Sequence, residues 1–78
     1  MVKNDQQEYS CDPETALDLL IAERGRVLEE YGGFIIEVID QRGFPWPDVI
    51  RILLRINHEV WIEEREGKLY IISKPKAD

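Results

Sequence analysis

Arg51 and Arg55 are the strongest chemical signal in the chain. Four residues apart on a helix, their guanidinium groups share a face and could contact phosphate oxygens or the edge of a guanine. On a solvated face they would instead pair with Asp48 and nearby acids, and such pairs are worth little. Trp46, Pro47, Ile50 and Leu54 surround them, and if exposed they form an apolar strip of the composition that protein partners use. Arg65 and Lys68 form a second basic pair around Glu66-Gly67. They could grip a phosphate backbone, but Glu63, Glu64 and Glu66 stand beside them, which favours a solvated turn.

Catalytic chemistry finds little purchase. His58 is the single histidine; Asn57 and Glu59 flank it, and no Ser or Cys nucleophile is near it in sequence. A histidine at a helix end more often complements the dipole. Gly32-Gly33 lacks the lysine and hydroxyl of a phosphate-binding loop. Glu29-Glu30 and Glu63-Glu64 are adjacent pairs without metal-ligand spacing, and Cys11 has no activating base and no partner cysteine. The residues predict a binding module that is not an enzyme and uses no cofactor or metal.

The elements that must position these groups fit one small domain. Seventy-eight residues at 44% hydrophobic composition suffice for one core, and a chain this short buries only about 60% of its unfolded surface. No apolar run approaches the ~20 residues of a membrane span, and MVKNDQQEYS has no apolar signal region, so a cytoplasmic protein is expected. The net charge of −6 is uneven: residues 1–41 carry three basic and ten acidic side chains, residues 42–78 seven and six. An acidic chain repels nucleic acid at long range, but the candidate reading elements lie in the near-neutral half.

Residues 1–11 lack periodicity and read as a flexible tail, 12–73 as the domain, and 74–78 as a second flexible tail. Asp12-Pro13-Glu14 is a helix start. Leu17, Leu20, Ile21, Arg24, Val27, Leu28 and Tyr31 then follow a 3-4 spacing that predicts a helix over 13–31, broken at Gly32-Gly33. Residues 34–42 are β-rich in FIIEVID, yet Phe34, Ile35, Val38 and Ile39 also fit a helical face; a helix of about two turns is favoured. Gly43 ends it, and Pro47 opens a further helix to about Asn57 that buries Val49, Leu53 and Ile56. HEVWIEE and KLYIISK alternate around Arg65-Glu66-Gly67, a β-hairpin pattern with Trp61 and Tyr70 side by side on one face. No repeat or low-complexity segment is evident.

Helix, helix, helix and hairpin make an α+β arrangement that resembles the winged helix-turn-helix family. Glu37-Val38-Ile39 matches that family's acidic-apolar-small opening, Gly43 its tight turn, and Phe44 the turn's buried apolar residue. Val49, Arg51 and Leu53 match the apolar-x-Arg-x-apolar run of its second helix, with the hairpin at 59–73 as the wing. Ile39 and Trp46-Pro47-Asp48 depart from the pattern, the first by size and the second by replacing short polar residues. The resemblance implies three helices followed by a β-hairpin wing, with residues 46–55 entering a major groove of duplex DNA and Arg65 and Lys68 on the flanking backbone.

Two functions follow as expectations. The first is a small transcriptional regulator that binds DNA through this surface. The second is an acidic interaction module or inhibitor, of the sort found in mobile elements, that binds a protein through Trp46, Pro47, Ile50 and Leu54, with its acidic first helix imitating nucleic-acid phosphate. Dimerisation, if it occurs, would use the helix at 13–31, and no membrane partner is expected.

Overall fold

The computed structural model describes residues 12–77, and the readings made for residues 1–11, Cys11 among them, and for Asp78 lie outside this range. Helix α1 (Pro13–Ile21) starts where expected: the Asp12 carboxylate accepts from the Thr15 N–H at 2.7 Å, and Pro13 occupies a position whose N–H would have no partner. It ends ten residues earlier than the spacing suggested. After Ile21 a 3-10 turn over Ala22–Arg24 leads directly into a strand. Arg24 closes the helix by donating to the Leu20 carbonyl at 2.6 Å and reaches on to the Gly43 carbonyl at 3.0 Å. At Gly25 a Cβ would stand 2.7 Å from the Glu37 carbonyl oxygen and 2.9 Å from the Phe44 ring, so this close exit from the helix requires glycine.

Strands β1 (Gly25–Glu30) and β2 (Gly33–Val38) form an antiparallel hairpin. Its two-residue turn, Tyr31-Gly32, has φ of +53° and +79°, the left-handed pair that matches strand twist. The expected three helices followed by a wing are therefore not formed. Residues 33–38 are strand rather than helix: Phe34, Ile36 and Val38 point inward, while Ile35 and Glu37 point outward. The helical spacing there was accidental, because a nearly continuous apolar run satisfies either period, and its β-branched content prevailed.

After β2 the chain turns through Asp40–Gly43, where the Asp40 carboxylate accepts from the Gly43 N–H at 3.0 Å. Helix α2 (Trp46–Arg55) follows and buries Val49 and Leu53. Strands β3 (His58–Arg65) and β4 (Lys68–Pro75) then form the second hairpin, turning at Glu66-Gly67 with φ of +53° and +82°. The hairpin expected at 59–73 thus exists, but as half of a sheet rather than as a wing. Lys74 and Pro75, read as tail, belong to β4, and the Lys76 N–H donates to the Asn57 carbonyl. Trp61 pairs with Ile72 and Tyr70 with Glu63, so the two aromatics share a face diagonally rather than directly opposite each other.

The sheet is antiparallel throughout in the order β1-β2-β4-β3. Both helices pack on one face, where Leu17, Ile21, Phe34, Ile36, Val38, Phe44, Val49, Leu53 and Ile71 form the core. The other face is left uncovered by any described element. The backbone repeats itself: helix then hairpin occurs twice, and the positive-φ residues Ala22, Tyr31 and Gly32 recur as Asn57, Glu66 and Gly67, each 35 positions on. No helix among the described residues is long and apolar enough to cross a membrane.

Candidate functional site

Helix α2 presents two opposed faces. Val49 and Leu53, four residues apart, sink into the core, which leaves Ile50, Arg51, Leu54 and Arg55 on the remaining circumference. Trp46 anchors the helix start: its indole N–H donates to the Gln41 carbonyl at 3.0 Å, and its ring meets Phe44 edge-on at 5.0 Å. The indole is thereby fixed while one side of it stays open.

Trp46, Pro47, Ile50, Arg51 and Leu54 together line a shallow depression of about 430 Å³ on this outer side. Five of the eight residues singled out from sequence are thus brought together. Leu54 is 55% exposed, and Ile50 is half-buried against the core edge. Arg51 donates to the Asp48 carboxylate at 3.3 Å, one helical turn back, so its charge is partly compensated. Arg55 is exposed in the last turn, where a cation complements the helix dipole.

Arg65 and Lys68 do not join this site. Strand alternation places them on the uncovered face of the sheet, while α2 packs on the opposite one. Arg65 pairs with Glu63 at 2.7 Å and lies over the Tyr70 ring, 5.3 Å from its centre. Lys68 pairs with Glu37 at 3.5 Å, and Arg26 approaches the same carboxylate at 4.0 Å. Both basic side chains are largely exposed and are paired with acids of the same sheet face.

A second depression, about 290 Å³, opens beside the start of α1 between Pro13, Phe34, Ile56 and His58, with Asp12, Glu14 and Glu29 among its lining residues. His58 does not stand at a helix end, where it would complement the dipole. It is buried at the start of β3, with Nδ1 3.0 Å from the Ser73 hydroxyl and its ring stacked on Phe34. Partial burial, and then the neighbouring Glu29 carboxylate, raise the pKa of Glu14 above its ordinary value; the Thr15 backbone hydrogen bond lowers that of Asp12. Among the described residues no three His, Cys, Asp or Glu side chains converge to hold a metal ion.

One surface escaped the sequence reading. On the uncovered face, Leu28, Ile35, Ile72 and Trp61 stand in register across all four strands, one residue from each. No alternation marked it: Val27-Leu28 and Phe34-Ile35-Ile36 are apolar on both faces of β1 and β2, and those residues were assigned to helices. No family model, curated protein or solved structure matches the chain.

Proposed function

We propose that the chain is a non-enzymatic protein-interaction module that receives a partner protein on the outer face of α2. The observation that carries this reading is the grouping of Trp46, Pro47, Ile50 and Leu54 around one solvent-open depression. An anchored indole beside exposed aliphatic groups and an arginine is the composition at which binding energy concentrates in protein interfaces. The competing reading, control of transcription through duplex DNA, drew its support from a winged-helix frame, and that frame does not form. What remains for it is Arg51 and Arg55 on a helix that also carries Asp48, in a chain of net charge −6.

Photo-crosslinking from a reactive group placed at Pro47 tests the proposal. A discrete protein adduct should form in the wild-type background and disappear with Leu54→Asp, which alters an exposed residue and leaves the fold intact. An adduct unchanged by Leu54→Asp would overturn the assignment of this face. Duplex binding at low salt that weakens with Arg51→Ala/Arg55→Ala would restore the DNA reading instead.

A further inference from the structure

The uncovered sheet face is a different surface from α2, and its residues suit one particular occupant. Its outward-pointing residues run in rows across the strands: Arg26, Glu37, Tyr70 and Glu63; then Leu28, Ile35, Ile72 and Trp61; then Glu30, Lys74 and Glu59, with the buried backbone of Gly33 between Glu30 and Lys74. With Lys68 and Arg65 at the hairpin end, the face carries four basic and four acidic side chains. The chain's acidic excess therefore lies elsewhere. This is a region where a second acidic molecule is not repelled, and where neither a polyanion nor a basic partner gains from net charge.

The charges are also paired within the face. Glu37 meets Arg26 and Lys68, Glu63 meets Arg65, and the Lys74 ammonium sits 5.8 Å from the centre of the Trp61 ring. Between them the apolar row stays open: Leu28 is 51% and Trp61 40% exposed. A dent of about 200 Å³ lies over Ile35 and Ile72, bounded by Trp61 on one side and the fully exposed Tyr31 on the other.

We infer that this face binds a second copy of the chain, sheet to sheet, about a two-fold axis parallel to the strands and passing between β2 and β4. Such an axis sets β1 against β3 of the second copy and β2 against its β4, at the same level along the strands. Aligned sheets pack ~10 Å apart with a modest twist, which keeps the central residues in register. Each row then meets its own reverse. Leu28 falls on Trp61 of the second copy and Ile35 on its Ile72. Arg26 meets Glu63, and Glu37 meets the Tyr70 hydroxyl, which can donate to it. In the last row Glu30 meets Glu59, but Lys74 stands beside Glu59 and faces Gly33, which has no side chain to obstruct it. Apolar contact and the charges of the first row are complementary to the same surface reversed, and the Glu30–Glu59 pair is the one like-charge contact among these rows.

The test uses the full chain in sedimentation equilibrium from low to high micromolar concentration. Wild type should self-associate to a dimer, and Ile72→Arg should sediment as a monomer. Arg26→Glu and Glu63→Arg should each weaken association by about tenfold or more, since each places like charges face to face twice in the dimer. Mixing the two single variants should restore dimers, because both contacts then pair opposite charges. Within one chain Arg26 and Glu63 are three strand spacings apart, about 14 Å. They cannot rescue each other there, so rescue reports the contact between copies. A wild type that stays monomeric at high micromolar concentration, a dimer that survives Ile72→Arg, or a mixture that fails to recover would each overturn the inference.

Discussion

The His58 imidazole and the Ser73 hydroxyl, 3.0 Å apart, form the buried polar pair of the core, joining the first residue of β3 to an inward position of β4. Phe34 stacks on the same ring, so the contact ties both hairpins together. Removing the hydroxyl leaves a ring nitrogen buried without its partner. Ser73→Ala should cost about 1–3 kcal/mol in denaturant unfolding, whereas His58→Phe/Ser73→Ala should cost less than the two single changes combined. Additive losses would show that the pair is not coupled.

Leu53 is fully buried on the inward side of α2, against the sheet. Leu53→Ala should lose about 2–5 kcal/mol, a large share of the stability of a domain of this size. Leu54→Asp, one residue away on the outer face, should change stability by no more than about 0.5 kcal/mol. Thermal melts of the two variants measure the contrast directly.

Gly33 and Gly67 should respond to alanine for different reasons. A Cβ on Gly33 would fall on the Ser73 carbonyl oxygen in the seam between β2 and β4, so Gly33→Ala must part the two hairpins. Gly67 faces open space but has φ of +82°, so Gly67→Ala is strained and not crowded, at about 1 kcal/mol. Chemical unfolding should rank Gly33→Ala well below Gly67→Ala.

Glu14 makes stability depend on pH. Its folded-state pKa is raised above the ordinary value of 4.5, so the native state holds the proton more tightly than the unfolded chain does. Stability from this group is therefore greatest below that value and falls as pH rises from it through the folded-state pKa. Asp12 acts in the opposite sense: its pKa is depressed below 3.8, so its contribution is present above that value and lost as pH falls through the folded-state pKa. Glu14→Gln should raise the melting temperature at neutral pH, and Asp12→Ala should lower it there and matter less in strong acid. Melting curves at pH 7 and at acid pH separate the two.

The second half of the fold was legible because its signals do not compete. Pro47 lies in the first turn of α2, and the alternation of β3 and β4 about Glu66-Gly67 admits one period. The first half failed where they do. Leu17 and Ile21 belong to a real helix, but the same spacing continues by chance through Val27, Leu28 and Tyr31, where Gly25 and the Tyr31-Gly32 turn were the contrary signs. Five of the residues singled out lie together because they fall on or beside one helix, α2, which the sequence did mark. Arg65 and Lys68 were placed beside them because a wing leans over its recognition helix, whereas in a continuous sheet alternation sends them to the far side.

The repeated helix-hairpin order has a consequence for how the chain reaches its fold. Each hairpin joins neighbours in sequence and closes over a two-residue turn, an event of microseconds. The seam between the halves pairs Phe34 with Ser73 and Ile36 with Ile71, and its loop-closure entropy is the larger cost. Until the second half has been synthesised, β2 stands as an unpaired edge carrying Phe34, Ile36 and Val38. A nascent half-chain is therefore the aggregation-prone species, and β4 is the strand that ends its exposure.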